Sequence, residues 1–475
     1  MPFCLGRLVL MALILMGVAR QGWAQEQPAK PELARLSDEA VAWLTDLIRI
    51  NTTNPPGNEL PAAKYIASIL EKEGITAEVL ESASGRGVVI ARLRSSAVPD
   101  PSRALLLLGH LDVVGVQKEK WSVDPFGGVT KDGYLYGRGA IDDKGMVIAN
   151  LAVLVALKRA SVRLSRDVIF LAEGDEEQGG EFGIEFVIDK YWNKIAAGFA
   201  LNEGGAVRVK DSKVQYVGVQ ASEKVPLNVT VVATGPSGHG SRPRPDNPVV
   251  HLAAAVAKIG NYVAPARPNV VVRRYFEQLA KVEDPETSKW MRALETPERM
   301  EHAARVLSEA SPAWSSMLRN SVAPTMLRAG IRSNVVPSEA RANLNIRLLP
   351  GERVEPLLLE LTRLVNDPQI RFELESSLRP PAPPSSIETE LYQTIERVGP
   401  TVFPSAVVVP YMDTGATDSA QLRMRRVEAY GLFPFPLTEA DELRMHADDE
   451  RIPLDSFRKG VEFLYRVVEE FARAK

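Results

Sequence analysis

The stretch VIFLAEGDEEQGG, residues 168–180, changes abruptly from apolar to acidic. Its first four residues are an apolar run, which is typical of a strand buried on both faces of a parallel sheet. Directly after this run come four acids, which are Glu173, Asp175, Glu176 and Glu177. Carboxylates so close together repel one another, and burial of an unpaired carboxylate is costly. We therefore expect cations at the end of this strand.

Other chemically active side chains also follow strand-like or glycine-rich segments. His110 and Asp112 come just after the apolar run 104–108, Asp142 lies in YGRGAIDDKG, and Glu203 lies in FALNEGG. The ligand crevice of an open α/β sheet lies beyond the carboxyl ends of its strands. We therefore expect these side chains to converge on one crevice.

The hydrophobic pattern predicts two kinds of domain. Helix-like and strand-like segments alternate up to about residue 218, which favours an α/β domain with a mainly parallel sheet. From residue 225 apolar residues alternate with polar ones, and strands and helices follow in a ferredoxin-like order. We predict a catalytic domain of residues 25–219 and 379–475, interrupted by a lid or dimerisation domain of residues 220–378 that carries a helical insertion at 267–323.

The first 24 residues have the features of a signal peptide. Arg7 precedes an apolar stretch at 8–18, and cleavage is expected after Ala24. The mature protein would then be secreted or periplasmic without a stable membrane association, and the alternative is an uncleaved membrane anchor. Cys4 would leave with the peptide, so any metal must bind nitrogen and oxygen ligands.

Composition excludes several function classes. The chain has 475 residues, of which 45% are hydrophobic and 25% charged, and its net charge of -3 gives no indication of a nucleic-acid partner. It contains no G-x-S-x-G, G-x-x-x-x-G-K-[ST] or H-E-x-x-H motif, so a serine-hydrolase elbow, a P-loop and a simple zincin site are not expected.

Divalent metal ions would make the acidic clusters tolerable. Two ions ~3.5–4 Å apart neutralise several carboxylates and need one bridging acid. Histidine and carboxylate ligands suit zinc, and manganese or cobalt would also fit. A lone His-x-Asp pair or a lone DEE triplet is usually a surface feature, so the hypothesis depends on their ordered co-occurrence.

That order identifies a family resemblance. The motifs are RINTTNPPGNE (49–59), GHLDVV, WSVDPFGG, LYGRGAIDDKG, DEEQGG, GHGSRP, SNVVPSEARANLNIR and HADDERIP (446–453). With them the chain resembles the di-zinc metallopeptidases that include aminoacylase, carboxypeptidase G, carboxypeptidase S and tripeptide aminopeptidase. It is most similar to the carboxypeptidase S branch, which includes secreted hydrolases of N-acyl amino acids.

The resemblance implies the roles of individual residues. It implies five ligands for two metal ions: His110 and Glu203 on one, Glu177 and His446 on the other, and Asp142 bridging both. It makes Glu176 the general base and acid, and gives Asp112 the task of orienting His110. Four further positions match substrate-side residues, namely His239, Asn334, Arg347 and Thr417.

The implied function is hydrolysis of an amide or peptide bond by metal-activated water. An arginine at 347 that binds a carboxylate favours a carboxypeptidase or N-acyl-amino-acid hydrolase acting on a small peptide or N-acyl amino acid. A tripeptide-type aminopeptidase is the alternative and would need an acidic anchor for a free amine. A non-catalytic periplasmic binding module is a further alternative. A homodimer through the lid would let His239 reach the partner's site.

The role of Glu176 gives a first prediction. Glu176→Ala should lower the turnover number by orders of magnitude while the metal ions stay bound, because the general base is lost and the ligands are kept. Activity assays together with metal analysis of the purified variant check this. Turnover near that of the wild type would reject the assignment.

Overall fold

A computed structural model of the chain describes residues 30–375, 377 and 379–474. The predicted signal peptide, residues 1–24, lies outside the described residues. Among the helices of the described part, none combines the length and the apolar character needed to cross a bilayer.

Helices are distributed along the whole described chain. Their bounds are α1 (Lys30–Ile48), α2 (Leu60–Lys72), α3 (Lys144–Arg159), α4 (Ile184–Ile195), α5 (Pro248–Gly260), α6 (Val270–Leu279), α7 (Pro285–Ala293), α8 (Pro297–Ala310), α9 (Pro312–Leu318), α10 (Val354–Val365), α11 (Glu390–Val402), α12 (Ser419–Met424), α13 (Glu439–Glu442) and α14 (Leu454–Ala472).

Strands alternate with these helices. Their bounds are β1 (Ala77–Ala83), β2 (Arg86–Leu93), β3 (Leu105–His110), β4 (Val129–Lys131), β5 (Tyr134–Tyr136), β6 (Val168–Glu173), β7 (Phe199–Asn202), β8 (Ala206–Lys210), β9 (Lys213–Glu223), β10 (Val225–Thr234), β11 (Gly238–His239), β12 (Ser321–Ala329), β13 (Val335–Val336), β14 (Glu339–Leu348), β15 (Ile370–Leu374), β16 (Val407–Asp413), β17 (Glu428–Gly431), β18 (Pro436–Thr438) and β19 (Arg451–Pro453).

A large mixed sheet forms the centre of the molecule. Its strand order is β1-β2-β6-β3-β7-β17-β9-β8-β18, and β16 pairs with β9. The middle strands β6, β3, β7 and β17 run parallel to one another, with Leu107 opposite both Phe170 and Leu201. Both β3 and β6 are buried along their full length, which explains their apolar runs. The expected α/β class with a mainly parallel sheet is confirmed.

A second, antiparallel sheet has its own small core. Its strand order is β12-β14-β10-β15, and α5 and α10 pack against it through residues such as Leu252 and Leu361. The chain order is strand, helix, strand, strand, helix, strand, as the sequence pattern predicts. Strand β9 of the central sheet continues to Glu223, so the chain enters this lid at Lys224 and not at residue 220.

The helical insertion packs differently from the domain to which the sequence pattern assigned it. Helices α6 to α9 contribute side chains to the core of the central sheet, and α6 buries Val272 and Phe276 there. The ring of Tyr275, also on α6, lies 5.6 Å from that of Tyr411 on β16. The reason is that α6 presents its apolar face to β16 and β9. Lys224 anchors the end of the insertion by donating to the carbonyl oxygen of Arg319 at 2.8 Å.

Candidate active site

Three neighbouring strands of the central sheet bring polar side chains to one edge. Strand β3 ends at His110, β7 is followed directly by Glu203, and β6 is followed by a short 3-10 turn, Glu176–Gln178. Because β6, β3 and β7 are adjacent and parallel, their carboxyl ends meet there. This convergence is the one that the sequence predicts.

Asp142 reaches the same place by a different route. The sequence predicts that Asp142 follows a strand of the central sheet. The strand before it, β5, instead belongs to a separate sheet with β4 and β19. Its loop is held instead by the fully buried Glu450, which accepts hydrogen bonds from the N–H groups of Ile141 (2.8 Å) and Asp142 (3.1 Å). Arg138 donates to Glu450 at 2.6 Å. Sequence reasoning missed Glu450, although it lies inside the motif HADDERIP.

Asp142 lies between two histidines. Its Oδ1 is 3.0 Å from Nε2 of His110, and its Oδ2 is 3.0 Å from Nε2 of His446. Each histidine has a further carboxylate: Glu203 Oε2 lies 3.8 Å from His110 Nε2, and Glu177 Oε1 lies 3.2 Å from His446 Nε2. The two oxygens of Asp142 therefore serve two separate histidine–carboxylate pairs, which is the geometry of a bridging ligand.

These side chains fit divalent metal ions. Ligand atoms of His110, Asp142 and Glu177 lie within 4.8 Å of one another, and so do those of His110, Glu176 and Glu203. Histidine nitrogen and carboxylate oxygen are donors that zinc accepts. The two groups contain four of the five ligands that the family resemblance implies, together with Glu176, and the assignment of each ligand to one ion stays a prediction.

Protonation of the histidines reflects an excess of negative charge. Hydrogen bonds to Asp142 and Glu177 raise the pKa of His446 to about 10. Burial acts to lower the pKa of His110, but Glu203 and the neighbouring aspartates outweigh it, so this pKa is also raised. Burial raises the pKa of Glu203 to about 7. A divalent cation would supply the positive charge that these groups otherwise take up as protons.

Asp112 connects His110 to the acidic turn. Nδ1 of His110 lies 3.0 Å from the backbone oxygen of Asp112 and 3.4 Å from its Oδ1. The two oxygens of Asp112 also accept hydrogen bonds from the N–H groups of Glu176 (3.1 Å) and Glu177 (3.2 Å). Asp112 is completely buried, so it fixes the histidine and the turn relative to each other.

The four acids at the end of β6, in residues 173–177, have different partners. Asp175 accepts hydrogen bonds from Arg86 (2.8 Å) and from Asn54 (3.0 Å), and Arg86 is also paired with Glu59 at 2.6 Å. Asn54 and Glu59 belong to the segment RINTTNPPGNE, which supplies this support. Asp175 is therefore neutralised by an arginine, and metal ions are needed only for the acids nearer the histidines.

The charges of Glu173 and Glu176 are offset in other ways, by protonation and by a second arginine respectively. Burial raises the pKa of Glu173 well above its ordinary value, and the nearby charge of Asp418 raises it further. Burial therefore favours the protonated form of Glu173. Glu176 is 10% exposed and pairs with Arg379, which lies in the proline-rich sequence LRPPAPPSS, residues 378–386. Its position before Pro380 and Pro381 gave no indication of this contact.

The predicted substrate residues are not all in one place. Thr417 is buried near the centre, where its Oγ1 donates to Glu223 at 3.0 Å. His239 is exposed on β11, and Asn334 is exposed directly before β13, the strand that pairs with β11. Arg347 lies half-buried on β14. Among the described contacts, none joins these three lid residues to the histidine centre.

A cavity of about 290 Å³ adjoins the histidine centre. Asp142, Glu203 and Thr417 form one end of it, and Tyr411 and Phe433 contribute aromatic walls. Its lining also includes an ion pair of Arg208 with Glu442 at 2.5 Å. The cavity beside the histidine centre is therefore lined by both charged and aromatic side chains.

The sequence model of peptidase family M20/M25/M40 matches residues 106–470. The chain belongs to this family. The match includes all five predicted metal ligands and Glu176, and it confirms the resemblance to metallopeptidases and the expected enzyme class.

Individual members of family M20/M25/M40 are similar over most of their length. The human N-fatty-acyl-amino acid synthase/hydrolase PM20D1 is 29% identical over 381 residues, which cover 78% of this chain and 74% of the human protein. The probable carboxypeptidase S-like 2 of Dictyostelium discoideum is 30% identical over 380 residues, which cover 77% and 71%.

Solved structures of the family share the fold. A metallo-carboxypeptidase from Sulfolobus solfataricus superposes with a TM-score of 0.66 at 20% identity and covers 91% of this chain and 99% of its own. Human carnosine dipeptidase 1 gives a TM-score of 0.64 at 18% identity, with coverage of 93% and 97%. At these identities the likeness supports the fold alone.

The Arg86 network gives a stability prediction. Arg86→Met should lower the free energy of unfolding by about 3–5 kcal/mol, because it leaves Glu59 and Asp175 buried without their cation. The exposed Arg94→Met is the matched control and should change it by less than about 0.5 kcal/mol. Urea unfolding of both variants measures the difference, and equal stabilities would contradict this account of the network.

Proposed function

We propose that this protein is a zinc-dependent hydrolase that cleaves the amide bond next to a C-terminal amino acid, as a carboxypeptidase or an N-acyl-amino-acid hydrolase. The observation that carries the proposal is Asp142, whose two oxygens face separate histidine–carboxylate pairs beside Glu176. Histidine and carboxylate donors support zinc as the metal.

The proposed mechanism assigns each step to a side chain. Two divalent ions in this set would polarise the scissile carbonyl and lower the pKa of a water molecule. Glu176 would take the proton of the attacking water and then deliver it to the leaving amine. Asp112 would keep His110 and the turn that carries Glu176 in register.

The lid would supply the remaining contacts. Arg347 would pair with the free carboxylate of the substrate, and His239 would donate to the developing oxyanion. Both residues lie on the lid, with no described contact to the histidine centre. The proposal therefore requires the lid to close over the bound substrate, with Asn334 on the same ribbon as His239.

The substrate class is supported by the names of relatives. The human relative is named as an N-fatty-acyl-amino acid synthase/hydrolase, and the relative from Dictyostelium discoideum as a probable carboxypeptidase S-like protein. We extend to this chain their shared chemistry, which is an acylated amino acid with a free carboxylate.

The cavity beside the centre weighs against a tripeptide-type aminopeptidase. That activity needs a carboxylate free to bind the amine of the substrate. Three acids line the cavity beyond the predicted ligands, namely Asp143, Asp413 and Glu442. Glu442 is paired with Arg208, Asp413 accepts backbone hydrogen bonds from Gly205 and Thr414, and Asp143 accepts one from the N–H of His110. The cavity therefore offers the amine of a substrate only acids that already have partners within the protein.

We also propose that the mature protein is exported after cleavage following Ala24. The proposal rests on the sequence of residues 1–24 alone. N-terminal sequencing of protein recovered from outside the cytoplasm should begin at Gln25. Protein that keeps residues 1–24 would contradict it.

A homodimer through the lid is a further proposal. Strand β12 is an edge strand of the lid sheet, and it exposes Met326 (48%) and Leu327 (59%). On the neighbouring helix α5, Val250 is 61% exposed. Such an edge can pair with a second copy. Light scattering should give a dimer that Leu327→Lys weakens, and a monomeric wild type would refute it.

The substrate specificity can be tested with blocked substrates. N-acyl amino acids with a free carboxylate should be hydrolysed, and a chelator should abolish the activity until zinc is added back. Conversion of the carboxylate to an amide should lower kcat/KM by about 10–100-fold, because the charge-assisted pair with Arg347 is lost. Equal hydrolysis of both substrates would reject the role of Arg347. A requirement for a free amine would instead support an aminopeptidase.

A further inference from the structure

Arg379 lies where the lid returns to the catalytic domain. It follows β15, the last strand of the lid, and precedes α11. Its N–H donates to Oγ of Ser377 at 3.2 Å, and Ser377 in turn donates to the carbonyl oxygen of Pro226 at 2.9 Å. Pro226 belongs to the first lid strand, so Arg379 stands beside both connections between the domains.

The side chain of Arg379 nevertheless points into the catalytic domain. It is only 6% exposed, and its guanidinium spans two carboxylates. Nη2 donates to the backbone oxygen of Glu176 at 2.7 Å and also to Oε1 of Glu176. Nη1 donates to Oδ1 of Asp418, which is itself 1% exposed.

The surroundings of this guanidinium are shaped to hold it. Gly180 has a positive φ of 89°, and a Cβ there would lie 2.8 Å from Ile184, 3.2 Å from Asp418 and 3.6 Å from Arg379. The turn after Glu176 thus leaves room for the arginine and its anchor. Asp418 holds the planar guanidinium at Nη1, so the direction in which Nη2 donates to Oε1 of Glu176 is fixed, whereas a lysine would act as a point charge.

We propose that Arg379, anchored by Asp418, is a positioning residue that sets the orientation of the Glu176 carboxylate. While Arg379 holds this side chain, one of its oxygens lies within 4.8 Å of ligand atoms of His110 and Glu203. Arg379 therefore holds one side of the Glu176 carboxylate while the carboxylate faces His110 and Glu203. The inference rests on the proposed function, in which Glu176 transfers the proton.

Kinetics of Arg379→Met test the inference. Loss of the guanidinium should lower kcat by about 10–100-fold, because a misplaced Glu176 would supply only part of the rate gain of a general base. KM should stay within about twofold of the wild-type value. Zinc content should equal that of the wild type, because no predicted ligand is changed. Arg379→Lys should recover part of kcat, and Arg371→Met, an exposed change on β15, should leave it unaltered.

A second measurement does not depend on activity. In crystals of zinc-loaded Arg379→Met, the Glu176 carboxylate should have moved from its wild-type position, while His110 and Glu203 keep theirs. Unchanged kcat or an unmoved Glu176 would overturn the inference. Should Arg379→Met fail to fold, the same two measurements on Arg379→Lys decide it. A wild type that hydrolyses none of the substrates refutes the proposed function, and the crystal structures still test the role of Arg379.

Discussion

Mutual repulsion of buried carboxylates is the constraint on which this structure depends. The adjacent ends of β3, β6 and β7 bring acids together that could not remain ionised side by side in a buried crevice. The chain meets this constraint in three ways. Arg86 pairs with Asp175 and Arg379 pairs with Glu176, burial favours the protonated form of Glu173, and the acids around the two histidines are left for divalent cations. The arginines and the proton thus leave the metal ions only the acids around the two histidines, where catalysis is proposed.

The two domains divide the proposed work. Side chains that would hold metal and move protons lie at the edge of the central sheet and on the loops of Asp142 and His446, supported by the buried Asp112 and Glu450. Side chains that would recognise the substrate, His239 and Arg347, lie on a separate sheet with its own core. Such a division would let the proposed closure of the lid couple substrate recognition to catalysis. Arg379 connects the two domains, because it lies where the chain leaves the lid and its side chain contacts Glu176.

Sequence alone was sufficient for the elements with strong local patterns. The apolar runs of β3 and β6 and the acidic motifs after them predict both the central sheet and the site at its edge. What it could not predict depends on contacts between distant segments. The helices of the insertion look polar and separate, yet α6 buries Phe276 against the central sheet. Arg379 lies in a linker-like stretch, and only the fold shows it 6% exposed beside Glu176.

The most direct measurement of the central claim is the anomalous diffraction of crystals soaked in zinc. The account predicts two zinc peaks about 3.5–4 Å apart, one on each side of Asp142, with His110 and Glu203 at one and Glu177 and His446 at the other. Absence of zinc from this crevice at saturating concentration, or ligand atoms too far from the ions to bind them, would contradict it.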